Sequence, residues 1–151
     1  TSVNLLKNNL GDGATAVVAA AKQHGKIKTL SGTKEGQTEV NLRNRYLKNP
    51  DAVLLSFDLE FNRALIKLSI GDNALGHGIQ AICESLCHND TLQAISFANQ
   101  YGNDESWMGA AGAKHVADML KVNRALTSLD LCGNKIGAGG AKAIAAALPQ
   151  S

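Results

Sequence analysis

Cys83 and Cys87 stand four positions apart, with His88 directly after the second. On a helix that spacing brings two thiols onto one face. A closed structural zinc site takes about four ligands, usually from paired cysteine motifs, and Cys132 lies far along the chain from both. The three cysteines, an odd number, therefore read as reduced thiols of an intracellular protein, and no metal site is expected. The four histidines, His24, His77, His88 and His115, fall in separate segments without a recurring acidic or nucleophilic companion. Nucleophilic catalysis needs a base within reach of the nucleophile, and no such pairing is visible. The stretch GAGG at 137–140 has the glycines of a phosphate loop but not its lysine, so it is expected to be a turn. The chain reads as non-catalytic and without a cofactor.

With no reactive cluster to position, the organisation of the chain carries the reading. Its 151 residues suit one ordinary domain or about five stacked units of 25 to 30 residues. The apolar fraction is 44% and the aromatic fraction 4%, so Ala, Leu, Val and Ile must fill any core. A net charge of +2, from 15 Lys+Arg against 13 Asp+Glu, is far from the basic excess of nucleic-acid-binding domains, and no nucleic-acid partner is expected. No apolar run approaches the roughly 18 residues of a membrane span, so no membrane association is expected. The opening TSVNLLKNNLGDG has neither the basic start nor the apolar stretch of a signal peptide, which predicts a cytoplasmic protein. The chain opens without methionine and inside a repeat, which predicts a fragment of a longer array.

The repeats emerge when the chain is aligned on itself. LTSLDLCGNKIGAGGAKAIAAAL and LIKLSIGDNALGHGIQAICESL superimpose Leu126, Leu129, Leu131, Asn134, Ile136, Ile144 and Leu148 on Leu65, Leu68, Ile70, Asn73, Leu75, Ile82 and Leu86, allowing one missing residue in the turn. A third copy supplies Leu92, Ile95 and Phe97, then Met108, Ala113, Val116 and Leu120 after about six extra residues. Val3, Leu5, Asn8, Leu10, Ala14 and Val17 form a first copy cut off at its strand. In the remaining copy, Ile27 and Leu30 are split from Val40 and Leu42 by an insertion at 31–38. Strand centres then fall at Leu5, Leu42, Ile70, Phe97 and Leu131, with spacings of 37, 28, 27 and 34. Removing insertions of about ten and six residues leaves about 27 or 28 each. The chain divides into a single domain of about five repeats, approximately 1–25, 26–61, 62–88, 89–122 and 123–151, with insertions at 31–38 and near 99–107.

These stretches resemble leucine-rich repeats of the ribonuclease-inhibitor type, which also form the sensing domains of NOD-like receptors and the Ran GTPase-activating proteins. The resemblance covers nearly the whole chain. It implies an α/β fold, a right-handed, curved leucine-rich repeat solenoid with a parallel β-sheet on the concave face and α-helices on the convex face. The residues agree. In LxL, apolar and polar positions alternate with the period of a strand, whereas Ile136, Ala141, Ile144 and Leu148 trace one helix face. One strand and one helix cannot bury their apolar sides alone, so copies must stack.

Asn8, Asn73 and Asn134 recur at the strand exit, where a buried amide can satisfy backbone groups of adjacent turns. Arg45 and Gln100 occupy the same column and are expected to break that ladder. The alanine-rich first and last helices do not look like the polar caps that solenoids carry, which predicts further repeats and leaves self-association through uncapped ends open.

Alternation from the strand centres predicts a concave row of Ser2, Asn4, Leu6, Glu39, Asn41, Arg43, Lys67, Ser69, Ala94, Ser96, Ala98, Ser128, Asp130 and Cys132. Of these, only Arg43 belongs to the residue types enriched at binding hot spots. The insertion NQYGNDESWMG adds Tyr101, Asp104, Glu105 and Trp107, and loops held by a rigid scaffold often carry specificity. Trp107 either contacts a partner or folds over its own turn to shield Met108. The candidate partner-binding set is Tyr101, Trp107, Asp104, Glu105, Arg43, Glu39, Asn41, Lys67 and Asp130. The insertion SGTKEGQT is a second contact or a spacer.

These features predict a non-catalytic protein–protein interaction module, a scaffold or sensor segment with an unidentified protein partner. One alternative is a GTPase-activating regulator resembling Ran GTPase-activating protein, although the functional residues of that family are not matched and its acidic tail is absent from this chain. Another is a structural spacer in a longer solenoid.

Overall fold

The first apolar residue of each LxL segment turns inward at the middle of a three-residue strand, buried in three strands and half-buried in the last. The expected centres Leu42, Ile70, Phe97 and Leu131 therefore each fall one residue past a strand. The computed structural model describes residues 1–101 and 107–148. Four strands, β1 (Glu39–Asn41), β2 (Lys67–Ser69), β3 (Ala94–Ser96) and β4 (Ser128–Asp130), form one parallel sheet in the order β1-β2-β3-β4. The register aligns Val40, Leu68, Ile95 and Leu129 in one row beneath the sheet. Five helices alternate with them: α1 (Gly13–His24), α2 (Asn49–Phe61), α3 (Gly78–Leu86), α4 (Gly109–Val122) and α5 (Gly137–Ala147). Each packs on its sequence neighbours. The main core, including Leu47, Leu68, Ile70, Leu75, Ile82 and Phe97, lies between sheet and helices.

The insertion at 31–38 divides this stack. Ser2 and Asn4 do not join β1; they pair with Thr29 and Ser31 through isolated bridges, one parallel and one antiparallel. The second repeat thus meets the first with residues 29–31 and the third with β1. Between these segments the chain reverses at Gly32, whose φ is +77° and where a Cβ would lie 2.9 Å from Asn4 Nδ2. A second core cluster forms under the first repeat from Ala14, Ala21, Leu30, Leu54 and Phe57. Helix α2 serves both cores, with Leu54 and Phe57 in one and Ala52, Leu55 and Leu59 in the other. Burial on both sides explains its near-continuous apolar sequence. Leu6, expected on the concave row, packs half-buried against the second core instead.

The strand exits repeat one backbone geometry. Lys7, Asn44, Asp72, Asn99 and Gly133, each three residues after the last paired residue of a strand or bridge, have φ of +65°, +54°, +52°, +54° and +69°. Asn, Asp and Gly tolerate this left-handed region best. The next residue builds the ladder. Asn73 Oδ1 accepts the N–H groups of Arg45 and Leu47 at 3.1 and 3.0 Å, and its Nδ2 donates to the carbonyls of Leu42, Ile70 and Gly71. Gln100 does not break the ladder as expected. It is fully buried, its Oε1 accepts Leu75 N–H at 3.1 Å, and its Nε2 donates to Ile70 O and Phe97 O. The amide head group does the bonding, and one extra methylene is absorbed. At Arg45, which is exposed, Asp51 of α2 substitutes by accepting the N–H groups of Lys7 and Lys48 at 2.7 and 2.9 Å.

A second ladder, on the opposite edge, follows the helices. Asn62, Asn89 and Asn123 each accept backbone N–H groups two and three residues ahead. Asn89 and Asn123 also donate to carbonyls of the preceding repeat. The glycines at 137–140 require a correction too. They form the first turn of α5 rather than the linking turn, and Gly140 is buried where a Cβ would meet Ala113 at 2.9 Å. Closeness to α4 therefore explains this glycine better than turn geometry.

Candidate protein-binding surface

The strands hold Glu39, Asn41, Lys67 and Asp130 on the concave face, and all four are exposed, as is Arg43 just beyond β1. Arg43, Lys67 and Asp130 share a shallow hollow of about 260 Å3 with Ser69, Ala94 and Ser96. The Arg43 Nε donates to the Asp72 carboxylate of the next repeat, so this arginine is oriented by a partner that is itself half-buried.

Part of the row has a backbone duty. Asn4, Asn41 and Asp130 each accept the N–H two residues ahead, from Leu6, Arg43 and Cys132, at 3.1, 3.0 and 3.0 Å. Ser96 does the same for Ala98 at 3.3 Å and also donates to Asp130 Oδ2 at 3.3 Å. These short polar side chains close the strand ends, as Asx and Ser turns do. Ala98 is buried, not exposed on the row; its carbonyl lies where a Cβ on Gly71 would sit, at 2.9 Å.

The strand-exit edge holds the aromatic residues. Tyr101 is half-buried, and its N–H donates to Asn73 O at 2.9 Å. Trp107 is half-buried with the Lys135 ammonium 3.9 Å from its ring centroid. Met108, the next residue, is 3% exposed. Trp107 thus lies against the last repeat through Lys135 with its ring half-buried. Asp104 and Glu105 lie outside the described residues.

Sequence reasoning missed Tyr46, which is 70% exposed and held at φ +60°. Its signal was positional. Tyr46, Tyr101 and Lys135 each lie five residues beyond the last residue of a strand, so they share one column on this edge. Lys7 stands 5.8 Å from the Tyr46 centroid, giving the edge two aromatic–cation pairs. Arg43, Arg45 and Lys48 are exposed beside them.

The cysteines sit in a different environment. Burial, reinforced by Cys87 and Glu84, pushes the Cys83 thiol up to about 12. Burial and the Glu84 and Asp118 charges also raise Cys87. Both therefore stay protonated at neutral pH, unlike zinc-ligating thiolates. Among the described residues, no three His, Cys, Asp or Glu side chains converge as a metal site.

Stacked strand–turn–helix units with an asparagine-type ladder define a leucine-rich repeat protein. The chain is similar to leucine-rich repeat proteins of the ribonuclease-inhibitor-like type. It is 28% identical over 156 aligned positions to the ribonuclease inhibitor of Sus scrofa, an alignment covering 100% of this chain and 30% of that protein. It is 30% identical over 95 positions to the ribonuclease inhibitor of Mus musculus, covering 59% of this chain and 19% of that one. The chain therefore spans less than a third of either relative. Among solved structures it is similar to leiomodin-1 actin-binding site 2, with a TM-score of 0.59, 22% identity and coverage of 98% of this chain and 78% of that one. It is also similar to the Caenorhabditis elegans tropomodulin C-terminal domain, with a TM-score of 0.60, 15% identity and coverage of 98% and 81%. No family model matches the chain.

Proposed function

We propose that the chain is a non-catalytic protein-interaction module that holds a macromolecular partner across the concave sheet and its strand-exit edge. The observation that carries this is the column of Tyr46, Tyr101 and Lys135, with Trp107 and Arg43 alongside, on a rigid ladder-braced edge. Tyr, Trp and Arg dominate binding hot spots because they offer large contact area and oriented hydrogen bonding. Names of the similar proteins, an inhibitor of ribonuclease and an actin-binding site, support a protein as the partner class. Glu39, Asn41, Lys67 and Asp130 supply the polar remainder of the surface. Asn41 and Asp130 contribute less, since each already accepts a backbone N–H. Three free thiols support a reducing compartment, the cytoplasm.

The test is affinity capture from a cell extract with the wild-type chain, with Tyr46→Ala/Tyr101→Ala/Trp107→Ala, and with the convex-face control Gln80→Ala. A partner retained by wild type and control but lost by the triple variant supports the reading. Equal recovery by all three chains excludes the edge.

A further inference from the structure

The insertion at 31–38 builds a surface on the opposite edge, away from the strand exits. After Gly32 the chain returns along Thr33 and Lys34 and turns again at Gly36, also at φ +77°. Facing the loop that follows α2, and with Thr1 and Ser2 on a further side, it borders an open cleft of about 750 Å3, within the roughly 300–1,000 Å3 usual for ligand sites.

Its walls are fixed. The buried Asp58 carboxylate accepts the Thr29 hydroxyl at 2.5 Å, the Ser31 hydroxyl and the Leu30 N–H at 2.7 Å. Across the cleft, Asn62 Oδ1 accepts the N–H groups of Ala64 and Leu65 at 2.8 and 2.7 Å. Phe61 remains 52% exposed, its ring tilted at 56° against Phe57 with centroids 5.1 Å apart. Phe61 and Lys28 also line a second hollow of about 300 Å3 with Ala21, Ile27 and Phe57. The exposed ring is therefore a ridge between two depressions. The rim is cationic: Lys28, Lys34 and Arg63 are exposed, against Glu35, with Arg63 also 3.9 Å from the exposed Asp90 carboxylate. The nearby Lys22 is already paired with Glu60 at 3.0 Å.

We propose that this cleft binds an acidic peptide in extended conformation, with apolar side chains on either side of the Phe61 ring and carboxylates toward Lys28, Lys34 and Arg63. In an extended chain, residues i and i+2 project on the same side about 7 Å apart, so two such side chains can straddle the single Phe61 ring that both hollows share. The cations are solvent-exposed, so their attraction is screened by salt. This site is separate from the strand-exit edge and stands or fails independently of it.

The probe is the fluorescein-labelled peptide DELDFDE, read by fluorescence anisotropy. Its controls are DESDSDE, which lacks apolar anchors, and KKLKFKK, which reverses the charge. The expected result is saturable binding of DELDFDE alone, weakened by salt and weakened about tenfold by Lys34→Glu/Arg63→Glu and by Phe61→Ser. Thermal melts would identify any variant that loses its fold. Lys34 lies on an exposed loop, so Lys34→Glu alone still reads the charge contribution in a folded chain. The edge variant Tyr46→Ala/Tyr101→Ala/Trp107→Ala should bind the peptide unchanged. No saturable binding, equal binding of KKLKFKK, or binding indifferent to the cleft variants would overturn the proposal.

Discussion

Asn134 Oδ1 accepts the backbone N–H of Gln100 at 3.1 Å, and Gln100 Oε1 in turn accepts Leu75 N–H at 3.1 Å, two residues beyond the ladder residue Asn73. Their amide nitrogens donate to equivalent carbonyls of the preceding repeat, Phe97 O for Asn134 and Ile70 O for Gln100. Both are buried, at 2% and 0% exposure, so deleting either amide leaves N–H and C=O groups without water to replace it. Gln100→Leu and Asn134→Leu are each expected to cost about 2 to 4 kcal/mol, from several unsatisfied buried groups at about 1 to 3 each with partial relaxation. Asn8→Leu, whose amide is exposed and bonds only within its own turn, should cost under about 1 kcal/mol. Urea unfolding of the three variants checks the order, and similar losses for all three would contradict the ladder's role.

Helix spacing gives a second prediction. A Cβ on Gly78 would lie 2.5 Å from Ala52 Cβ and 2.9 Å from Asn49 O, so α3 touches α2 through a residue that must lack a side chain. Although alanine favours helix, Gly78→Ala should destabilise by about 1 to 3 kcal/mol, the usual cost of overpacking. Gly139→Ala, at a helical site with open space around its Cβ, should be neutral or stabilising by about 0.5 to 1 kcal/mol. Thermal melts of both chains test the contrast.

Asp58 sets a pH dependence. Burial holds its carboxyl above 3.8 despite opposing bonds from Ser31, Thr29 and Leu30. The folded chain therefore keeps this proton to higher pH than the unfolded chain. The stability it contributes is fully present below 3.8 and declines as pH rises through the raised folded value. Asp58→Asn should remove that decline. Urea unfolding from acid to neutral pH measures it as the difference between variant and wild type, and a pH-independent difference would contradict the burial argument.

Thiol labelling should follow burial. Cys132 is exposed, Cys87 intermediate and Cys83 buried, and only the thiolate reacts. Iodoacetamide at mildly alkaline pH should modify Cys132 first, Cys87 more slowly, and Cys83 only after denaturant is added. Labelling of Cys83 as fast as Cys132 in the folded chain would show that α3 opens readily.

The features readable from sequence were those repeated with the same residue type. Leu68 and Ile95 announce their strands by alternation, and Ile144 with Leu148 marks a helix face. Gln100 was misjudged because a column defined by asparagine hid the fact that only the amide matters. Asn62, Asn89 and Asn123 were available as an Asn three residues before each opening leucine, a spacing outside the strand-centred alignment. Asp58 could not be identified from its own helix, since Thr29 and Ser31 reach it from the segment that leads into the insertion. Tyr46 escaped because an exposed tyrosine in a short loop has no periodic signature until its column with Tyr101 is drawn.

Recognition through the strand-exit edge is tested most directly by site-specific photo-crosslinking in cells. Benzophenone side chains at positions 46 and 101 are compared with the same group at positions 80 and 114, exposed on α3 and α4 of the convex face. The edge positions should form a discrete crosslinked protein band that Arg43→Glu weakens, while the convex positions form none. Crosslinks of equal strength from the convex helices, or none from positions 46 and 101, would contradict a partner held on this edge.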